Sequence, residues 1–254
     1  MIAGPPRNGE APIPGAIAAM IAGDRVRPVW RNDCGGLTFE VTSLSGRRFV
    51  KWAPAGSGLD LTAEADRLRW AAPFTPVPTV LGEGRDGAGS WLVTAGLPGR
   101  NAVDERWKAD PRRAVQAIGR GLRAFHDALP VAVCPFSWSV ADRLADAAPW
   151  ATTERRRRCL AELAAGAPPV DVLVVCQGDA CPPNTLLADD GTWSGHVDLG
   201  AMGVADRWAD LAVATCSLGW NYGPGWEPAL LDAYGVVPDD DRTAFYNRLW
   251  QVGP

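Results

Sequence analysis

Two carboxylates and a carboxamide stand close together in VLVVCQGDACPPNTLLADDGTWSGHVDLG (residues 172–200). They are Asp179, Asn184 five positions later, and Asp198 followed by Leu199 and Gly200. Such a set suits phosphoryl transfer to an alcohol. A carboxylate at Asp179 can hydrogen-bond a hydroxyl and take its proton. Asn184 and Asp198 offer the hard oxygen ligands that Mg²⁺ prefers, leaving its other positions to water and to the phosphates of a nucleotide. Asp and Asn are also ordinary turn residues. The coincidence of three spacings is what favours chemistry here.

The elements around this segment must deliver those side chains. Its two apolar runs are joined by the turn Ala188-Asp189-Asp190-Gly191 and each ends near an acid, so a loop leaving one strand presents Asp179 and then Asn184. A neighbouring strand delivers Asp198. Upstream, Leu37, Phe39 and Val41 alternate with polar neighbours, Ser45-Gly46 makes a turn, and residues 48–52 form the return strand. Leu61, Ala65, Leu68 and Ala72 recur at helical spacing, with Thr62 as the expected cap and Pro73 as the stop. Residues 79–81 and 91–94 read as strands flanking Gly82 and Gly89, with Asp86-Gly87 as a hairpin turn. Residues 1–96 therefore predict an N-terminal lobe, an antiparallel sheet with one helix, after a mobile segment 1–14 and a short helix over 16–21. Beyond Leu97-Pro98-Gly99 the pattern is mainly helical, at 111–128 with Val115, Ile118, Leu122 and Phe125 on one face, at 138–148 and at 153–165. The fold class is α+β in two lobes, 1–96 and 97–254.

Bulk properties narrow the partners. A net charge of -4 disfavours nucleic acid, whose phosphates are held by surplus Lys and Arg. Six scattered cysteines with only His126 and His196 to join them lack the spacing of a zinc site and read as reduced, buried thiols. With no apolar run of about 18 residues and no basic start before residues 13–23, the expectation is a cytoplasmic protein without membrane contact, monomeric or a weak homodimer.

The segment GDACPPN followed by HVDLGAMGVADRWADLA resembles the signature of the aminoglycoside O-phosphotransferases, particularly their 3'-phosphotransferase branch. FVKWAP, AEADRLRW, WLVTAGLPG, FHDALPVAVCPF and DRTAFYNRLW resemble that family in order and spacing, so the similarity covers residues 29–250. The resemblance implies a protein-kinase-like fold, ATP (with GTP not excluded) and Mg²⁺ as cofactors, Asp179 as the catalytic carboxylate, and Asn184 and Asp198 as metal ligands. It makes Lys51 the cation on the nucleotide phosphates and Glu64 its ion-pair partner, although a surface Lys and a helix Glu are common by themselves. The backbone of Asp33, Cys34, Gly35 and Gly36 is expected to approach the phosphates, and that of Thr94 and Ala95 to bind adenine. Asp206 and Asp210 resemble a structural pair bracing the catalytic loop. The implied acceptor is a hydroxyl of a cationic aminoglycoside, at the 3' position, and the outcome antibiotic resistance.

Three departures from the family's pattern bear on this. Gln177 stands where the family usually has His; a Gln can donate and accept, so it is expected to brace the loop. Ala201 replaces a common Arg, and the chain ends Trp250-Gln251-Val252-Gly253-Pro254 instead of in acids with aromatics. Each missing charge-assisted hydrogen bond removes about 1.5–3 kcal/mol from binding of a polycation. The acids left to serve it are Asp142, Asp146 and Glu154, with Glu227, Asp232 and the Pro254 carboxylate; Trp220, Tyr222 and Trp226 either stack on a sugar or pack. A kinase for another hydroxylated metabolite, or a nucleotide-binding pseudokinase, remain as alternatives.

Overall fold

The computed structural model describes residues 11–44 and 46–252. Most of the expected mobile segment 1–14, Ser45 of the expected Ser45-Gly46 turn, and the Pro254 carboxylate lie outside the described residues. The chain divides into two compact units, one running to Pro73 and including Val77–Leu97, the other comprising Phe74–Pro76 and the chain from Pro98 onward.

The first unit holds α1 (Gly15–Ala18), β1 (Arg25–Arg31), β2 (Leu37–Ser43), β3 (Gly46–Pro54), α2 (Leu61–Ala71), β4 (Val80–Arg85) and β5 (Gly89–Ala95). The strands form one antiparallel sheet in the order β1-β2-β3-β5-β4. Alternation dictates its faces: Leu37, Phe39, Val41 and Val50 are buried and cluster with Ile17 and Ile21. Lys51, one residue on from Val50, points to the other face and pairs with Thr38 on one side and Leu92 on the other. Helix α2 buries Leu61, Glu64, Ala65, Leu68 and Ala71. Its cap is Asp60, whose side chain accepts from Ala63 N at 3.0 Å, and not the expected Thr62, which is exposed one residue inside the helix. Strands β4 and β5 extend further toward their turn than expected, to Arg85 and from Gly89. Gly82, Gly84 and Gly89, which read as turn, lie within the strands, and close packing requires glycine at two of them: a Cβ at Gly84 would meet the Trp91 ring at 2.3 Å and one at Gly89 the Ala53 carbonyl at 2.2 Å. The turn itself is tight, with Asp86 Oδ1 accepting from Ala88 N at 2.8 Å and Gly89 N at 3.1 Å.

The second unit holds β6 (Arg100–Asn101), α3 (Glu105–Lys108), α4 (Pro111–Ala128), α5 (Val140–Ala147), α6 (Glu154–Ala165), β7 (Leu173–Cys176), β8 (Thr185–Leu187), β9 (Trp193–His196), β10 (Gly203–Asp206), α7 (Trp208–Tyr222), α8 (Glu227–Tyr234) and α9 (Asp240–Gln251). Helix α4 begins at Asp110, which caps Arg113 N, and turns Val115, Ile118, Leu122 and Phe125 inward as its periodicity requires. It packs so closely on α8 that a Cβ at Gly119 would meet the Leu230 carbonyl at 2.5 Å. Two small sheets, β6-β8-β9 and β10-β7, carry the polar loops.

Both histidines belong to this core. His196, at the end of β9, has its ring edge-on to Phe125 at 5.1 Å and Nδ1 3.3 Å from Thr185 Oγ1. Burial pushes its pKa down to about 4. The unfolded chain therefore binds a proton below pH 6.5 that the folded one refuses until about pH 4, so stability falls as pH drops through that window. Between pH 7 and pH 4.5, wild type is expected to lose on the order of 2–3 kcal/mol more than His196→Gln in urea unfolding. Equal losses would refute this.

Candidate active site

Strand β7 ends at Cys176 and releases a loop that is tied down residue by residue. Asp210, on α7 and fully buried, accepts from Gln177 N at 2.6 Å, Gly178 N at 2.9 Å and His126 Nε2 at 2.9 Å. The other ring nitrogen of His126 meets Tyr234 Oη at 2.9 Å. Gly178 is obligatory: its φ is +93°, and a Cβ there would meet the Ala201 carbonyl at 2.4 Å. The expected pair of braces separates at this point. Asp210 holds the loop, whereas Asp206 accepts from Asp171 N, Trp208 N and Arg242 Nη1.

Gln177, fully buried, does what its chemistry allows. Its Oε1 accepts from Asp179 N at 2.7 Å, and its Nε2 donates to the Val197 and Asp198 carbonyls at 2.9 and 3.0 Å. One amide thus links the loop carrying Asp179 to the strand end carrying Asp198. Among the described residues Asp198 is the only non-glycine with positive φ, +62°, a strained conformation of the kind found at functional sites.

Asp179 and Asn184 meet directly. Asn184 Nδ2 donates to the Asp179 carbonyl at 2.9 Å and to its Oδ2 at 3.0 Å. Cys181 Sγ donates to Oδ1 at 3.0 Å. Val197 N, bonded to the Asn184 carbonyl at 2.9 Å, holds the approach to Asp198 beside them. Burial first, and then the carboxylate of Asp198, push the Asp179 pKa above its ordinary value, against the two donors that lower it. These observations test the site for Mg²⁺. With its nitrogen committed to Asp179, Asn184 has its amide oxygen left as an acceptor, and Asp198 adds a carboxylate near another acid, where a cation relieves repulsion. The all-oxygen set fits a hard divalent ion.

In the first unit, Lys51 Nζ donates to Glu64 Oε1 and Oε2 at 2.7 and 2.9 Å, with Glu64 buried in the first turn of α2. The expected pair is formed. The loop from Asn32 to Gly36 differs from expectation: Gly35 N bonds the Asn32 carbonyl at 3.1 Å and Gly36 N bonds Asn32 Oδ1 at 2.7 Å. Gly35 and Gly36 therefore close the turn and have no amide to offer a phosphate, leaving those of Asp33 and Cys34. Thr94 and Ala95 lie at the end of β5, and Ala95 N already donates to the Thr79 carbonyl at 2.8 Å. Its N–H is thus closed to adenine.

The candidate substrate acids are largely engaged. Asp142 completes the capping box of α5, Oδ2 accepting from Ser139 N at 3.2 Å and from the Ser137 and Ser139 hydroxyls, which hold its pKa below the ordinary value. Glu154 pairs with Arg157 at 3.4 Å. Asp146 is exposed one turn from Asp142, with no partner among the described residues. Trp220 is 61% exposed with its ring 5.7 Å from that of Trp250, whereas Tyr222 and Trp226 pack on the core.

An antiparallel sheet with the helix α2 after its third strand, a mainly helical second unit, and a loop, hairpin and loop bearing Asp179, Asn184 and Asp198 define a phosphotransferase of protein-kinase-like fold. Residues 29–246 match the model of the phosphotransferase enzyme family, and the chain belongs to that family. It is 39% identical over 228 residues to an aminoglycoside 3'-phosphotransferase of Streptomyces fradiae, covering 78% of this chain and 81% of that one. A crystal structure of an aminoglycoside-3'-phosphotransferase of type VIII superposes with a TM-score of 0.79 at 32% identity, covering 93% of this chain and 96% of that one. Aminoglycoside phosphotransferase APH(3'')-Id from Streptomyces rimosus, solved with ADP and streptomycin, gives 0.72 at 29% identity, covering 93% and 95%. Among the described residues no helix is long and apolar enough to cross a membrane.

Gln177 had only its sequence position to recommend it; its bonds make it testable. Gln177→Leu keeps the volume but orphans one buried N–H and deprives two carbonyls of a donor. Unfolding free energy is expected to fall by about 2–4 kcal/mol, with phosphoryl transfer slowed at least ~10-fold because both acid-bearing segments lose their common tie. Urea titration and steady-state kinetics read the two effects; an unchanged rate would show that the tie is dispensable.

Proposed function

We propose that this chain transfers the γ-phosphoryl group of ATP to a hydroxyl of an aminoglycoside, at the 3' position, and thereby confers resistance. The observation that carries the reading is the Asp179–Asn184 contact, in a chain 39% identical over 228 residues to an aminoglycoside 3'-phosphotransferase. In this reading Asp179 hydrogen-bonds the acceptor hydroxyl and aligns it. The acceptor oxygen bonds to the γ-phosphorus, the bond to the bridging oxygen breaks, ADP leaves, and the acceptor proton passes late to Asp179. Lys51, steadied by Glu64, meets the phosphates, and the amides of Asp33 and Cys34 supply further donors. Thr94 contributes backbone to adenine, together with the carbonyl side of Ala95. Asn184 and Asp198 would hold Mg²⁺, which when bound neutralises charge on the phosphate oxygens. The need for ATP supports a cytoplasmic site of action.

A second reading, a kinase for another small hydroxylated molecule, is favoured by one observation: Asp142 and Glu154 are engaged within the protein, and Asp146 is left to face a cation. The pseudokinase alternative rested on Gln177, whose three bonds argue for an ordered loop instead.

Asp179→Ala is expected to lower kcat at least ~10³-fold while changing ATP affinity less than ~3-fold, since the acid acts on the acceptor and not on the nucleotide. Wild-type turnover in that variant would sink the assignment. ADP release accelerated by kanamycin A but not by its 3'-deoxy analogue supports the 3' position; acceleration by both moves the site to another hydroxyl. Acceleration only by unrelated polyols supports the second reading.

A further inference from the structure

The carboxylate of Asp179 receives one side-chain donor on each oxygen, Asn184 Nδ2 on Oδ2 and Cys181 Sγ on Oδ1, both at 3.0 Å. Asn184 has its place in the reading above; Cys181 has none. Its position is closely determined. Cys181 N donates to the Asp179 carbonyl at 2.7 Å, and Asn184 N donates to the Cys181 carbonyl at 2.9 Å, so the residue is pinned between the acid and the amide by both ends of its peptide.

We propose that Cys181 is a positioning residue for phosphoryl transfer: its S–H fixes the rotation of the Asp179 carboxylate, so that one oxygen lone pair stays aimed at the acceptor hydroxyl. The proposal rests on the assignment of Asp179 to that hydroxyl. Rotation of a carboxylate about its last bond is broad and roughly two-fold, and Asn184 alone holds only one oxygen. A second donor on the other oxygen sets the plane. A thiol suits this place because it is a weak donor: it orients the oxygen without competing strongly for the lone pairs that the acceptor needs. Removing it leaves the carboxylate charged, present and free to turn, which slows the chemical step and leaves binding of both substrates intact.

The test compares wild type, Cys181→Ala and Cys181→Ser by ADP release at saturating MgATP, with kanamycin A and with water alone. Cys181→Ala is expected to lower kcat about 5–30-fold with KM for ATP and kanamycin A within about 2-fold of wild type, and Cys181→Ser to return to within about 3-fold of wild-type kcat. The melting temperatures should be alike. A kcat in the Ala variant within about 2-fold of wild type, or a folded Ser variant as slow as the Ala variant, overturns the proposal. Should Cys181→Ala fail to fold, Cys181→Ser decides: near-wild-type kcat supports the proposal and a loss beyond about 10-fold overturns it. If kanamycin A fails to accelerate wild type, the aminoglycoside reading falls. Basal hydrolysis, in which water takes the acceptor's place at Asp179, then decides Cys181 by the same ratios.

Discussion

A carboxylate buried without partners is among the least tolerable groups in a protein interior, and Asp210 turns that intolerance into order. Its three donors come from two main-chain amides of the catalytic loop and from the ring of His126 on α4. Because the charge has no water to fall back on, the loop cannot lift away without leaving it bare. The start of the loop is therefore located relative to α4 and α7 before Asp179 makes any contact of its own. Gly178 belongs to the same constraint, since its amide reaches Asp210 only through a backbone turn closed to residues with a Cβ.

From this anchor the order passes outward through Gln177. Its amide faces Asp179 on one side and the carbonyls of residues 197 and 198 on the other, so one side chain ties the loop before the hairpin β8–β9 to the segment that follows it. Asp198 sits at the far end in a left-handed conformation that costs on the order of 1–3 kcal/mol for a residue with a side chain. The bonds from Gln177 help to keep it there. The uncharged amide performs this bracing whatever the pH, which an imidazole in the same place does not.

Legibility from the sequence followed the kind of information that spacing carries. Asp179, Asn184 and Asp198 were readable because their separations are set by one loop and one hairpin, both marked by turn residues. Lys51 and Glu64 came from the family resemblance, and a strand followed by the next helix brings the two, thirteen residues apart, to hydrogen-bonding distance. The tight helix α4 was legible to the residue, as was the class of fold. What spacing does not carry is which donors and acceptors the local turns consume. Gly35 and Gly36 looked like amides open to a phosphate until Asn32 was seen to close the turn on them. Asp142 looked like a surface acid until Ser137 and Ser139 were found on it. His126, from α4, meets Asp210 across 84 positions, a separation that no local pattern encodes, and Cys181 reads as an ordinary loop residue until its sulfur is placed on Asp179.

The close approach of Gly178 to Ala201 links two positions that lie 23 residues apart in the chain. The backbone of residue 201 leaves no room beside residue 178, and residue 201 follows Asp198 by three positions. The two sites are mutationally coupled: drift at 178 must displace the strand end bearing Asp198, and a bulkier residue at 201 is admissible only if its side chain leaves along another direction. Such a contact narrows the evolutionary paths open to this part of the molecule. Exposed positions such as Asp146 and Trp220 carry no such constraint.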